Sequence, residues 1–250
     1  MTRLSLIVIT KNEEQKLARC LASAQSLADE IIVVDSGSTD HTLEIARRFT
    51  DKIYFRAWDD DYAAQKNYAA DKAGGDWILS LDADEELSGE LSREIRDFIA
   101  SDQAGQFAGM LLPRKNLIFG RWLRHGECWP DHQLRLFRRR LGKFERPVHE
   151  FVALEGAVGT LRSPIVHYSH ADVSKYFQVI DKYTDLEVKV LTLEKAGASL
   201  WAVVAYPLGK FLKAYFYERG FLDGVRGLTL ALLMTYYSFL KRYKYWRKVR

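Results

Sequence analysis

Trp77–Glu86 reads Trp-Ile-Leu-Ser-Leu-Asp-Ala-Asp-Glu-Glu, an apolar run that ends in carboxylates. In extended backbone Asp82 and Asp84 point the same way, and two like charges held that close repel unless a cation sits between them. Mg2+ or Mn2+ answers that need, because a hard divalent ion takes carboxylate oxygens and fills its remaining positions with water and phosphate. Glu86 offers a further ligand, directly or through water. The same letters also spell a strand end followed by the acidic first turn of a helix, where carboxylates suit the macrodipole.

The elements that must position these acids follow from apolar patterning. Leu4–Ile9 is a β-branched run that stops at Thr10-Lys11-Asn12, and a helical pattern follows over Glu13–Ala24. Glu30–Val34 stops at Asp35-Ser36-Gly37-Ser38-Thr39-Asp40, where Ser38 or Thr39 can cap a helix running to Phe49. Ile53–Ala57 is a third strand, Asp59–Lys72 a helix and Trp77–Leu81 a fourth strand. This alternation means βα units around a parallel sheet, whose strand C-termini are where ligands bind. No GxGxxG follows the first strand and no GxxxxGK[ST] occurs, which excludes the usual dinucleotide and P-loop sites. After a helix near Ser88–Ala100 the pattern is mixed, with strand-like segments at Gly109–Phe119, Leu134–Arg138, Val148–Leu154 and Thr160–His167. Helical pattern then runs from Asp172 to about Ala196, around Leu200–Phe216 and over Phe221–Leu240.

The net charge of +4 over 250 residues hides an asymmetry. From Leu200 onward there are ten Lys and Arg against two acids, whereas the rest holds 27 against 31. Two cysteines, Cys20 and Cys128, give no disulfide framework, so a reducing compartment is expected. The N-terminal apolar run is too short for a signal peptide, and Gly227–Leu240 falls short of the ~20 residues needed to span a bilayer. Leu228, Leu232 and Tyr236 recur at helical spacing, widened by Leu230, Leu233 and Tyr237. Lys241, Arg242, Lys244, Arg247 and Lys248 follow, interleaved with Tyr243, Tyr245 and Trp246. That mixture suits an anionic membrane surface better than nucleic acid. A dehalogenase-type phosphatase places its DxD after the first strand, not the fourth.

Three segments together, Ile-Val-Ile-Thr-Lys-Asn-Glu-Glu, Ile-Ile-Val-Val-Asp-Ser-Gly-Ser-Thr-Asp and Gly-Asp-Trp-Ile-Leu-Ser-Leu-Asp-Ala-Asp-Glu-Glu, resemble the inverting family-2 glycosyltransferases of the GT-A fold. Trp129-Pro130-Asp131-His132-Gln133-Leu134-Arg135-Leu136-Phe137 and Pro147-Val148-His149-Glu150 resemble a bacterial subgroup that includes lipopolysaccharide inner-core β-1,4-glucosyltransferases. The resemblance implies that Thr10, Asn12 and Asp35 line the nucleotide pocket and that Asp82 and Asp84 hold a divalent metal against the donor diphosphate. Lys66 could reach that diphosphate. Gln133 and Arg135 share one strand face, from which Arg135 could clamp it. Asp131 is the candidate base, with Glu150 as a rival, and His149 a possible third metal ligand.

The expected architecture is an α/β GT-A domain, Rossmann-like with a mostly parallel sheet flanked by helices, over 1–196, and a basic amphipathic helical appendage over 197–250. The expected activity is metal-dependent, inverting transfer of a hexose, glucose from UDP-glucose, to a lipid-linked glycan of the lipopolysaccharide inner core. The expected location is the inner face of the cytoplasmic membrane, with no nucleic-acid partner. Another cell-surface glycan acceptor, or a non-catalytic membrane adaptor, is the alternative.

Overall fold

The computed structural model describes residues 2–169, 172–194 and 197–250. The chain forms two compact units. The first comprises residues up to Arg114 together with His132–His167, and the second comprises Lys115–Asp131 with the residues from Tyr168 onward.

Strands β1 (Leu4–Thr10), β2 (Glu30–Asp35), β3 (Ile53–Phe55) and β4 (Trp77–Asp82) alternate with helices α1 (Leu17–Ala24), α2 (Thr42–Ala46) and α3 (Tyr62–Lys72). They are followed by β5 (Glu85–Leu87), α4 (Gly89–Ala100), β6 (Gly109–Ile118), β7 (Arg121–Trp122), β8 (Asp131–Arg138), β9 (Gly142–Glu145), β10 (Phe151–Leu154), β11 (Val158–Thr160) and β12 (Ile165–Tyr168). The main sheet runs β3-β2-β1-β4-β8-β6-β12-β5. It is parallel from β3 to β4 and turns antiparallel at β8. Both faces of its centre are covered, which is why β1 and β2 read as unbroken apolar runs. Leu6, Val8, Val33, Leu79 and Leu81 pack with Leu17 and Leu21 of α1 and Leu91 and Ile95 of α4. Ile7, Ile32, Val34 and Ile78 pack with Ala63 and Ala69 of α3 and with Ala73 just after it.

The helices after β1 and β2 are shorter than their patterns predict, because the intervening residues join the two loops. Asn12 N–H donates to Ser38 Oγ (2.8 Å), Thr39 N–H to Asn12 Oδ1 (2.8 Å) and Glu13 N–H to Thr42 Oγ1 (2.8 Å). Ser38 and Thr39 are thus spent across the loops rather than on a helix cap.

At the opposite end of the strands Glu30 is buried. Its Oε1 accepts from Ser5 Oγ (2.5 Å) and the Gly74 N–H (2.6 Å), and its Oε2 pairs with Lys52. A Cβ on Gly75 would meet Ser5 Oγ at 2.6 Å and the Arg3 carbonyl at 2.8 Å, so only glycine lets the chain pass here. Burial alone would raise the Glu30 pKa, but Lys52, Ser5 and the Gly74 N–H outweigh it and hold it at about 2 against an ordinary 4.5. A depressed carboxylate pKa gives stability that is present above the unfolded value and lost as pH falls from about 4.5 towards 2. Glu30→Gln is therefore expected to cost on the order of 3 kcal/mol at pH 7 and to flatten the acid limb of the stability profile. Urea titrations across pH 2–7 check this, and parallel profiles for the two proteins would contradict it.

In the second unit, α5 (Val173–Leu193), α6 (Leu200–Leu212) and α7 (Gly224–Val249) pack together, α7 meeting both α5 and α6. The expected end of the helix at Ala196, and with it the boundary drawn there, lies outside the described residues. Asp172 caps α5 by accepting from the Ser174 N–H (2.8 Å). A Cβ on Gly227 would lie 2.0 Å from the Gly220 carbonyl, so α7 starts hard against the preceding turn. Of the apolar positions expected to make a stripe on α7, Leu232 and Tyr236 stay exposed while the widening positions are covered. Leu233, Met234 and Tyr237 pack with Tyr176 and Ile180, and Leu230 packs with Ile118 and Leu123. Lys241 pairs with Glu187 (3.3 Å), and Lys244 with Asp181 and Asp185 (both 2.7 Å). Among the described residues no helix is long and apolar enough to cross a membrane.

Candidate active site

The parallel register sets three sequence-predicted residues at adjoining strand ends: Thr10 lies opposite Asp35, and Ile9 opposite Asp82. Thr10 is buried, and its Oγ1 has no hydrogen-bond partner among the described residues. Asp35 is bound by its own loop, Oδ2 accepting from the Gly37 and Ser38 N–H groups (2.8 and 2.9 Å) and Oδ1 from Ser38 Oγ (2.5 Å). A pocket of about 370 Å3 opens beside it, lined by Asp35, Leu43, Arg47, Asp51, Ile53, Tyr54 and Phe55.

At the end of β4 the extended geometry expected for Asp82 and Asp84 does not hold, because Ala83 and Asp84 form a turn into β5. The two carboxylates consequently have separate partners. Asp82 Oδ1 pairs with Lys66 Nζ (2.7 Å) and Oδ2 with Arg135 Nη2 (2.5 Å). Lys66 Nζ also meets Glu150 Oε1 (2.6 Å), while Arg135 Nη2 also meets Glu85 Oε1 (2.8 Å), which Arg114 Nη1 approaches at 3.2 Å. The second Glu85 oxygen accepts from the Asp82 N–H (2.9 Å). The result is an alternating chain of three acids and three bases through the unit. Burial opposes the charges on Asp82 and Lys66, yet the neighbours prevail: Arg135 and Lys66 hold Asp82 well below the usual carboxylate range, and Asp82 and Glu150 raise Lys66. Asp82 and Glu85 likewise push Arg135 up against its burial.

Asp84 lies 3.6 Å from His167 Nε2 and 3.7 Å from Lys16 Nζ. Burial raises its pKa, and the His167 hydrogen bond and charge, with Lys16, bring it below the ordinary value. His167 arrives because β12 pairs antiparallel with β5, setting His167 opposite Glu85. Among the described residues no group of three or more His, Cys, Asp or Glu is gathered to hold a metal on its own. Asp84 with His167 nonetheless fits as two protein ligands of a divalent ion completed by phosphate oxygens and water, the imidazole suiting a transition-metal ion better than Mg2+. The Asp82 oxygens are both engaged by cations.

The remaining candidates are dispersed. Glu86 lies 3.6 Å from Arg19, Gln133 is on β8, and His149 is exposed with φ +53°. Asp131 opens β8 in the second unit, where its Oδ2 accepts from the buried Asn116 Nδ2 (3.0 Å); that amide also reaches the Cys128 carbonyl (3.2 Å). Glu85, His167, Lys16 and Asn116 escaped the sequence reading. Glu85 alone carried a signal, as an acid within the carboxylate cluster that proves to be almost wholly buried.

Comparison with known proteins identifies the family. The family model described as Glycosyl transferase family 2 matches residues 5–167. The chain is 30% identical over 251 residues to the uncharacterized glycosyltransferase RC0292 of Rickettsia conorii, covering 96% of this chain and 88% of that one. It is 27% identical over 253 residues to the lipopolysaccharide core biosynthesis glycosyltransferase LpsC of Rhizobium meliloti, covering 98% and 92%. Its fold is similar to that of the mannosyltransferase PcManGT from Pyrobaculum calidifontis, solved with GDP-Man and Mn2+ (TM-score 0.55, 17% identity, 99% of this chain and 88% of that one). S. aureus TarS 1-349 in complex with UDP is also similar (TM-score 0.52, 17% identity, 99% and 90%). The family match covers more than half of the chain, and this chain belongs to glycosyl transferase family 2.

Proposed function

We propose that the protein transfers a hexose, glucose from UDP-glucose, with inversion and with a divalent metal, to a lipid-linked glycan of the lipopolysaccharide inner core. The observation that carries the reading is the joining of Thr10, Asp35 and Asp82 at adjacent strand ends beside Asp84 and His167. LpsC, named for lipopolysaccharide core biosynthesis and alignable over nearly the whole chain, supports the acceptor class. PcManGT with GDP-Man and Mn2+, and TarS with UDP, support a nucleotide donor and a metal.

In this reading the loops tied together by Asn12 and Ser38 hold the nucleoside, with the unpartnered Thr10 hydroxyl and the Asp35 loop beside it. Asp84 and His167 are the metal ligands, and Glu86 supports them through water. The metal, when bound, stabilises charge on the departing nucleoside diphosphate. Lys66 and Arg135 fix Asp82 and supply positive potential where that charge develops, and Gln133 shares the Arg135 strand face. Asp131 accepts the proton of the acceptor hydroxyl as it attacks the anomeric carbon opposite the leaving group. The catalytic part is assigned to 1–196, and the basic helices over 197–250 hold the protein at the inner face of the cytoplasmic membrane.

The test is a turnover screen of UDP-, GDP- and dTDP-sugars with Mg2+ or Mn2+, with deacylated lipopolysaccharide core as acceptor and the product anomer read by NMR. UDP-glucose with a β-linked product is expected. Preference for a GDP-sugar, or an α-linked product, would overturn the donor or the inversion.

A further inference from the structure

The outer side of α6 is a bare apolar stripe. Trp201, Val204, Leu208 and Leu212 recur at three- and four-residue spacing, which sets them along one face of the helix, and they are 48–78% exposed. α6 meets α7 and buries Val203 and Pro207, which belong to another face. No packed apolar cluster among the described residues includes the stripe. Beyond it Phe216 and Arg219 are exposed between α6 and α7, and Val225 and Arg226 are exposed in the first turn of α7.

The charge bordering this stripe is mostly basic, although Glu127 pairs there with Lys210 and with Lys213 (3.3 Å). The two acids after Leu200 are both engaged within the unit: Glu218 Oε1 pairs with Lys213 (3.1 Å), and Asp223 Oδ2 accepts from the Arg124 and His125 N–H groups (2.9 and 2.8 Å). Of the ten basic residues in this stretch, Lys210, Lys213, Lys241 and Lys244 pair with acids of the same unit, and the other six, Arg219 and Arg226 among them, keep it basic. A second copy seated on the stripe would set two such basic surfaces against each other, and like charges so placed repel. An anionic lipid surface satisfies both features, taking the apolar stripe into the acyl boundary and the arginines among the headgroups. An interfacial tryptophan such as Trp201 suits that depth.

We propose that the α6 stripe and the turn after it, rather than the basic end of α7, form the surface that inserts into an anionic leaflet. This rests on the membrane-association reading above and names the surface that performs it.

The test uses the full chain and vesicles of phosphatidylcholine alone or with phosphatidylglycerol. Wild type is expected to sediment with the anionic vesicles and less so at high salt. Trp201→Ser with Leu208→Ser, both exposed positions, should lower partitioning at least tenfold with an unchanged melting temperature. Because Cys20 and Cys128 are both buried, a polarity-sensitive thiol label can be placed at Val204→Cys or, as control, Glu155→Cys. Only the label at 204 should blue-shift on anionic vesicles. Wild type that binds no vesicle overturns the membrane reading itself. Wild type that binds while the double variant binds equally, with no shift at 204, overturns the stripe alone. The stripe also falls if Arg247→Gln with Lys248→Gln abolishes binding and the double variant does not, or if lipid-free wild type forms a dimer that the double variant loses.

Discussion

Asp131→Asn is expected to lower transfer by about 10²–10⁴ with little change in donor affinity. Asparagine keeps the shape of the side chain and can still meet Asn116, but it cannot take a proton from an attacking hydroxyl. Asn116 is buried, and its amide is fixed on one side by the Cys128 carbonyl, so Asp131 is presented in a set orientation. The comparison variant is Glu150→Gln. The Glu150 carboxylate is committed to Lys66, so its removal should act on the stability of the charged chain more than on turnover. Single-turnover rates with UDP-glucose and acceptor measure both. Near-normal transfer by Asp131→Asn, with transfer lost in Glu150→Gln, would assign the base to Glu150.

Lys66→Met should cost about 3–5 kcal/mol of folding stability, because removing one partner of a buried ion pair leaves uncompensated charge. Lys66 is 2% exposed, and its ammonium is held by both Asp82 and Glu150. Methionine fills similar volume, so the loss is electrostatic rather than a cavity. Adding Glu150→Gln to Lys66→Met removes one stranded carboxylate and should recover part of the loss. Asp82 retains Arg135, which keeps the double variant foldable. Chemical denaturation at pH 7 measures the cycle, and additive effects of the two changes would show that Lys66 and Glu150 are not coupled.

The first half of the fold was legible because its signals are local. β1, β2 and β4 are apolar runs stopped by polar residues, and the DxD at the fourth strand end stands where such runs must emerge. The charged chain was not legible, because it depends on pairings distant in sequence. Leu79 lies opposite Leu136, which brings Arg135 to Asp82, and His167 lies opposite Glu85, which brings a histidine to Asp84. Alternation along β8 gave the face of Arg135 but not its partner. The β4–β5 turn defeated the extended-strand reading of Asp82 and Asp84, since two residues of turn are enough to send neighbouring carboxylates to different cations. On α7 helical spacing found the apolar face. Periodicity alone could not say which part of it α5 would cover, nor that α6 would carry a bare stripe of its own.

The central claim is that a nucleotide-sugar diphosphate binds at the ends of β1, β2 and β4 through a metal held by Asp84 and His167. Calorimetry of UDP-glucose with and without Mn2+, on wild type and Asp84→Ala, tests it most directly. The account predicts wild-type binding that disappears with chelator, and Asp84→Ala protein that stays folded but binds no better with Mn2+ than without it. Equal wild-type affinity in the presence and absence of metal would contradict it.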